Sequence, residues 1–283
     1  MIGIIDVGGG NSAAFADGVL DYLIENNINV DYFIGVSAGA ANGASFVAKQ
    51  SGRNLKFYTE YNLSARAIGP LAFLCSKGSF VDMDYIYGTL SNEGGKCPLD
   101  YDALMESPTK FVVVATDVDN GNAVYFDKSD IKRNNYGVLC ASSARPIACK
   151  PYSFNGRRYY DGYVCDPIPV DKALSDGCDK IIVLLANSKE RFRSGKGDAK
   201  QAEKTKKYPA ISKLLSQQAQ LYNDSLKKAL ELEKEGKALV LCPKDNMYMS
   251  ALDKDKTKIN ALYQYGYQQG KRVTEFLSTE INI

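Results

Sequence analysis

The sequence predicts an α/β fold, a three-layer α/β/α arrangement around a mostly parallel central sheet. Three observations carry this. Residues 2–7, 110–118, 180–186 and 238–242 are near-continuous apolar runs, as expected of strands buried on both faces. Stretches of helical periodicity alternate with them, which is the order parallel strands need for their crossovers. No Pro-, Gly- or Ser-rich stretch divides the 283 residues, so one domain is expected, with residues 1–186 as the core and 187–283 completing it.

Taken in order, strand 2–7 runs into Gly8-Gly9-Gly10 and then a helix at 13–26. In that helix Phe15, Ala16, Val19, Leu20 and Leu23 share one face, and Asp17, Asp21 and Glu25 are read on the other. Strand 30–34 leads into an Ala-rich helix at 38–49. Further helices are expected at 55–67, at 82–90 with Asp82 as N-cap, and at 101–106. Strand 110–118 turns at Gly121-Asn122 into 123–126 as a hairpin, and a helix is expected at 131–143. A second hairpin is centred on Asn155-Gly156, the preferred two-residue turn. A short helix at 170–176 closed by Gly177, a long one at 210–235 and a last one at 260–277 complete the reading. Residues 189–213 hold nine Lys or Arg against three Asp or Glu, which suits a solvated face or peripheral contact with an anionic membrane.

Composition narrows the chemistry. The chain contains no histidine, so Ser-His-Asp triads, Cys-His dyads and His-based zinc hydrolases are excluded. Its seven cysteines include no C-x-x-C pair, which points to reduced thiols and no metal site. No cofactor is expected. Nothing resembles a nucleic-acid motif, and no apolar run reaches 18 residues. A strand beginning directly after Met1 leaves no room for a signal peptide, so a cytoplasmic location is expected.

The chemistry centres on Gly35-x-Ser37-x-Gly39, which lies between a strand and a small-residue helix. A serine on such a turn is exposed above a helix N-terminus, and flanking glycines let the backbone close. Gly8, Gly9 and Gly10, also between strand and helix, present N–H groups suited to an anion, either a phosphate or the oxyanion of acyl transfer. The loop lacks both G-x-G-x-x-G and a Walker lysine, which favours the oxyanion. Without histidine a nucleophilic Ser37 needs another base. Asp161, in the turn after the second hairpin, is the foremost candidate, with Asp166 and Asp117 as competitors.

Four segments together resemble the patatin-like phospholipase family, specifically its bacterial branch: DVGGGNSAAFADGVLDYLIE, IGVSAGAANG, the run from Ala141 to Gly177 around YYDGY, and the tail ALVLCP with LYQYGYQQG. The blocks fall in family order over nearly the whole chain. The resemblance implies a patatin-like fold and a lipid acyl hydrolase with a lipid or ester substrate. It also implies a Ser37–Asp161 dyad and an oxyanion hole built from Gly8, Gly9 and Gly10. Two motifs depart from the family pattern. Ser12 and Ala13 stand where G-G-G-x-[KR]-G has its cation and last glycine, and Tyr163 stands at the third place of D-G-[GA]. Those departures leave two alternatives beside the lipase: a small-ester esterase or thioesterase, and a catalytically weakened member that binds lipid or protein.

Overall fold

The structure, a computed structural model, describes residues 1–278. In chain order its elements are β1 (Ile2–Asp6), α1 (Ala14–Glu25), β2 (Tyr32–Val36), α2 (Ala38–Val47), α3 (Arg53–Lys56), α4 (Pro70–Cys75) and α5 (Tyr101–Glu106). Next come β3 (Lys110–Asp117), β4 (Ala123–Asp127), α6 (Gly137–Ser143), β5 (Tyr152–Phe154), β6 (Arg157–Asp161), α7 (Val170–Ser175) and β7 (Lys180–Leu184). Helices α8 (Asp198–Lys204), α9 (Pro209–Ser216) and α10 (Gln218–Lys234), strand β8 (Ala238–Leu241) and helix α11 (Lys256–Ser278) follow.

The strands form one sheet in the order β5-β6-β3-β2-β1-β7-β8, with β4 also paired to β3. From β3 through β8 every neighbour in that order is parallel, while β4, β5 and β6 add antiparallel hairpins at one side. The period-2 alternation of each strand sends side chains to both faces. Ile4 and Phe33 meet Phe15 and Leu20 of α1, Phe46 of α2 and Leu262 of α11 on one face. Ile5 and Ile34 meet Ala173 of α7 and Leu226 and Ala229 of α10 on the other. The result is three layers, α/β/α, with a mostly parallel sheet. Among the described residues no helix is long and apolar enough to cross a membrane, and all seven cysteines are free.

Several elements differ from the sequence reading, each for a local reason. The helix expected at 55–67 is helical only to Lys56 and then widens into a π-turn over Phe57–Tyr61, where the Tyr58 hydroxyl donates to Asn42 Oδ1 (2.6 Å). The helix expected at 131–143 begins only at Gly137. Before it, Lys132 and Asn135 form a bridge around Asn134, whose φ is 59°. The long helix at 210–235 is two helices broken at Gln217 (φ −117°, ψ 12°). Residues 70–75, to which the sequence reading assigned no element, are helical. Asp17 and Asp21 are buried, because α3 and α11 meet the side of α1 that the sequence pattern assigns to solvent. There Asp17 Oδ1 accepts from Asn54 Nδ2 (3.1 Å) and Asp21 Oδ2 accepts from the Tyr263 hydroxyl (2.9 Å).

Helices α1 and α11 approach closely because glycines face each other's backbone. A Cβ on Gly266 would lie 1.9 Å from the Phe15 carbonyl oxygen, and one on Gly18 would lie 2.1 Å from that of Tyr263. In an unobstructed helix interior, Gly to Ala gains about 1 kcal/mol of helix propensity. Here the overlap with backbone reverses the sign. Gly266→Ala is expected to lower stability by roughly 1–3 kcal/mol, read as a fall in the urea midpoint; an unchanged or higher midpoint would show that the helices separate at no cost.

Candidate active site

Ser37 lies where β2 gives way to α2. Its backbone has φ 57° and ψ −129°, a left-handed φ that costs on the order of 1–3 kcal/mol in a non-glycine residue and that clusters at functional sites. The turn is so tight that a Cβ on Gly35 would sit 2.5 Å from Ala40 Cα, and one on Gly39 would sit 2.3 Å from the Asp6 carbonyl oxygen. The Ser37 N–H donates to Ser142 Oγ on α6 (2.9 Å). The hydroxyl stands at the N-terminus of the ten-residue helix α2, where unpaired N–H groups and the helix dipole favour negative charge.

Asp6, at the end of β1, joins this turn to the glycine loop. Its carboxylate is fully buried and accepts from the Gly8 N–H (2.9 Å) and from Asn42 Nδ2 (2.9 Å). Burial pushes its pKa up to about 7, opposed by those two donors. A Cβ on Gly8 would lie 2.3 Å from the Val36 carbonyl oxygen, so the loop can pass the elbow only as glycine. Farther along the loop, Ser12 Oγ donates to the Gly9 carbonyl (2.7 Å), and the Asn11 N–H donates to the Ala251 carbonyl (2.8 Å). The serine that replaces the family's cation therefore ties the loop to itself. The three glycines do not share one position. Gly9 and Gly10 border the cavity, whereas the N–H of Gly8 is spent on Asp6 and so is not available to an oxyanion.

Strand register brings Asp161 to Ser37. Val36 is opposite Val114 of β3, and the next residue of β3, Ala115, is opposite Asp161 of β6. Ser37 and Asp161 therefore flank β3 at one level. The Asp161 carboxylate is buried, and Oδ1 accepts from the Tyr163 N–H (2.9 Å). Burial raises its pKa to about 6, held from going higher by the Tyr163 N–H, by the Ser37 hydroxyl and by the positive charge of Arg145. Gly162 is forced here too: its Cβ would stand 2.4 Å from the Val114 carbonyl oxygen. The competing carboxylates are engaged elsewhere. Asp117 Oδ1 accepts the N–H groups of Asp119 and Asn120 in the hairpin turn, and Asp166 accepts from the Tyr125 hydroxyl.

Ser37, Asp161, Gly9 and Gly10 open into a cavity of about 620 Å³. It lies beyond the carboxyl ends of the parallel strands, where open α/β sheets bind ligands. Tyr163, the second departure from the family pattern, forms part of the wall; its hydroxyl accepts from Arg193 Nη1 (2.8 Å). Sequence reading passes over Asp6, Asn42 and Ser142. Asp6 directly ahead of the glycine run, and a lone Asn among the alanines of α2, were the available signals. The contribution of Ala251 had no local signal at all.

Residues 7–174 match the family model described as patatin-like phospholipase. Residues 208–280 match that of a domain of unknown function, DUF6363. The uncharacterized protein YjjU of Escherichia coli (strain K12) is 31% identical over 188 residues, which is 65% of this chain and 51% of that protein. The chain thus spans about half the length of that relative. Among solved structures, VipD from Legionella pneumophila aligns over 96% of this chain and 66% of its own, with 15% identity and a TM-score of 0.49.

The raised carboxyls fix a sign for stability. Asp6 titrates at about 7 and Asp161 at about 6, above their ordinary 3.8. Between 3.8 and those values the folded chain holds more protons than the unfolded one, so stability falls as pH rises through that window. The urea midpoint is expected to be higher near pH 5 than near pH 8. A midpoint that rises across the same interval would show that these carboxyls are not destabilised by burial.

Proposed function

The chain belongs to the patatin-like phospholipase family, a family of lipid hydrolases, and we propose that it cleaves carboxylic esters of lipids through an acyl-Ser37 intermediate with Asp161 as base. The observation that carries this reading is a strained serine at a helix N-terminus facing a buried carboxylate, in a chain without histidine. Asp161 takes the Ser37 proton as Oγ attacks the carbonyl carbon. The negative oxygen that forms is received by the N–H groups of Gly9 and Gly10 and by the first turn of α2. Asp161 then returns the proton to the departing alcohol. In the second half, water gives a proton to Asp161 as its oxygen attacks the acyl carbon, and Asp161 passes that proton to Ser37 Oγ as the ester bond breaks, releasing the acid and restoring both side chains.

A carboxylate of ordinary basicity is a poor acceptor for a serine proton. Burial supplies the correction by bringing Asp161 to about 6, closer to neutral pH. The cavity of about 620 Å³ has room for an extended acyl chain, which favours a lipid over a small ester. Because Gly10 and Asn11 rest on Ala251, the working unit in this reading is the whole chain, not residues 1–186 alone.

Ser37→Ala and Asp161→Asn are each expected to lower ester hydrolysis by roughly 10⁴-fold or more, and a fluorophosphonate is expected to label Ser37. An active Ser37→Ala protein would sink the dyad. Failure to label would instead favour a non-catalytic binding member, and turnover confined to short soluble esters would favour the esterase. With Asp161 needed as carboxylate, kcat/KM should fall on the acid side with an apparent pKa near 6. An acid limb near 4, the range of an exposed carboxylate, would place the base elsewhere.

A further inference from the structure

Among the described residues, ten large apolar side chains are exposed, and eight of them stand on four segments that frame the cavity. The first segment is a hairpin. Ile68 and Val81 form a bridge at its base and line the cavity, and α4 lies between them in sequence. Of the six residues in α4 only Ala72 is buried. Leu71, Phe73 and Phe80 are nearly half exposed, and Leu74 is 73% exposed. The Phe73 and Phe80 rings pack on each other (centroids 5.3 Å apart) and leave their outer faces open. A helix that turns its apolar residues outward gains nothing from the core, so its sequence answers to something outside the fold.

The other three segments agree. Ile147 is 46% exposed with φ 74°, a left-handed conformation that is strained for a β-branched residue. It sits between Pro146 and Ala148 on the cavity wall, and the Ala148 carbonyl accepts from the Phe80 N–H (2.6 Å), which joins it to the hairpin. Phe192 projects from the basic stretch, and Tyr248 and Leu252 project from the loop that meets the glycines; all three also line the cavity.

Charge gives the rim a direction. Residues 66–81, 145–150, 189–197 and 247–252 contain eight Lys or Arg and one acidic residue, Glu190, although the whole chain is only +2. Two of the cations are neutralised, Arg66 by Asp82 and Lys189 by Glu233. Lys77, Arg145, Lys150, Arg191 and Lys196 remain on the exposed side, with Arg191 over the Tyr248 ring (3.9 Å). Apolar side chains that can enter the acyl region, ringed by cations at headgroup level, fit an anionic lipid bilayer.

We propose that this rim is the face by which the protein docks on anionic phospholipid bilayers, with α4 inserted and the cavity mouth held against the membrane. The proposal rests on the lipid-hydrolase reading and deepens it. A lipid would pass from the bilayer to Ser37 without crossing water. The basic stretch at 189–213, which from sequence suits either a solvated face or a membrane contact, supplies only part of the charge, and the largest share of the apolar part comes from α4 and Phe80, where the sequence reading placed no helix.

The test is flotation of the full chain on mixed phosphatidylglycerol–phosphatidylcholine vesicles and on pure phosphatidylcholine vesicles. It is done with Ser37→Ala as parent so that no lipid is consumed. The parent should float on the mixed vesicles, less on the neutral ones, and less as salt is raised. Adding Leu74→Asp should cut flotation by about tenfold or more, with no change in thermal midpoint, because Leu74 packs against little. Lys150→Glu should lower binding to the anionic vesicles and leave the neutral ones unaffected. Undiminished flotation of the Leu74→Asp protein would overturn the proposal. So would a parent that floats on neither vesicle, which would make the rim a protein-docking surface. Hydrolysis of a short soluble ester by protein with native Ser37 separates the two ideas: activity without flotation overturns the docking face alone, and flotation without activity overturns the dyad alone.

Discussion

The carboxylate of Asp6 is the point on which the site depends. It ends the central strand β1, fully buried, and holds both the Gly8 N–H and the amide of Asn42. Through the first it fixes the glycine loop, and through the second it fixes α2 and the elbow. Gly39 passes so close to Asp6 that no side chain fits between them. The glycine loop and the Ser37 elbow are thus both tied to one buried group, and they also pack directly on each other, with Gly8 against Val36. A neutral side chain of the same size would have to present a donor to donors on at least one side. The cost of burying this acid is the cost of aligning two segments that do not touch in sequence.

In the proposed reaction, which has no histidine to draw on, the chemistry would follow from how carboxylates respond to burial. An exposed aspartate is too weak a base to activate serine, and one buried without partners would stay protonated near neutral pH. Asp161 is held between these limits. Burial raises its basicity, while the Tyr163 N–H and Arg145 keep the charged form accessible. The same arrangement accounts for two glycine positions. Gly162 must pass against Val114, and Gly35 must let α2 turn back over β2. Basicity, reach and backbone closure are here one steric problem.

Much of this was legible in the chain. The continuous apolar strands gave the mostly parallel sheet, Asn155-Gly156 gave the hairpin (both residues have positive φ), and the order of Gly8–Gly10, Ser37 and Asp161 gave the family. What periodicity could not show were contacts made by elements distant in sequence. Asp17 and Asp21 read as solvent-facing because the pattern of α1 contains no information about Asn54 of α3 or Tyr263 of α11, the latter helix more than 230 residues away. The helix at 131–143 was read too long because one left-handed Asn outweighs several residues of favourable pattern. The division of labour among the three glycines was hidden for a related reason. Only the position of the Asp6 side chain tells which N–H is already engaged.

The contact of Gly10 and Asn11 with Ala251 also bears on when the site exists. A ribosome delivers the glycine loop, the serine and the aspartate within the first 161 residues, but the segment on which the loop rests emerges some ninety residues later. A nascent chain of intermediate length would carry every candidate site residue with one wall missing. Completion of the candidate site thereby waits for the segment around Ala251 to emerge and fold against the glycine loop.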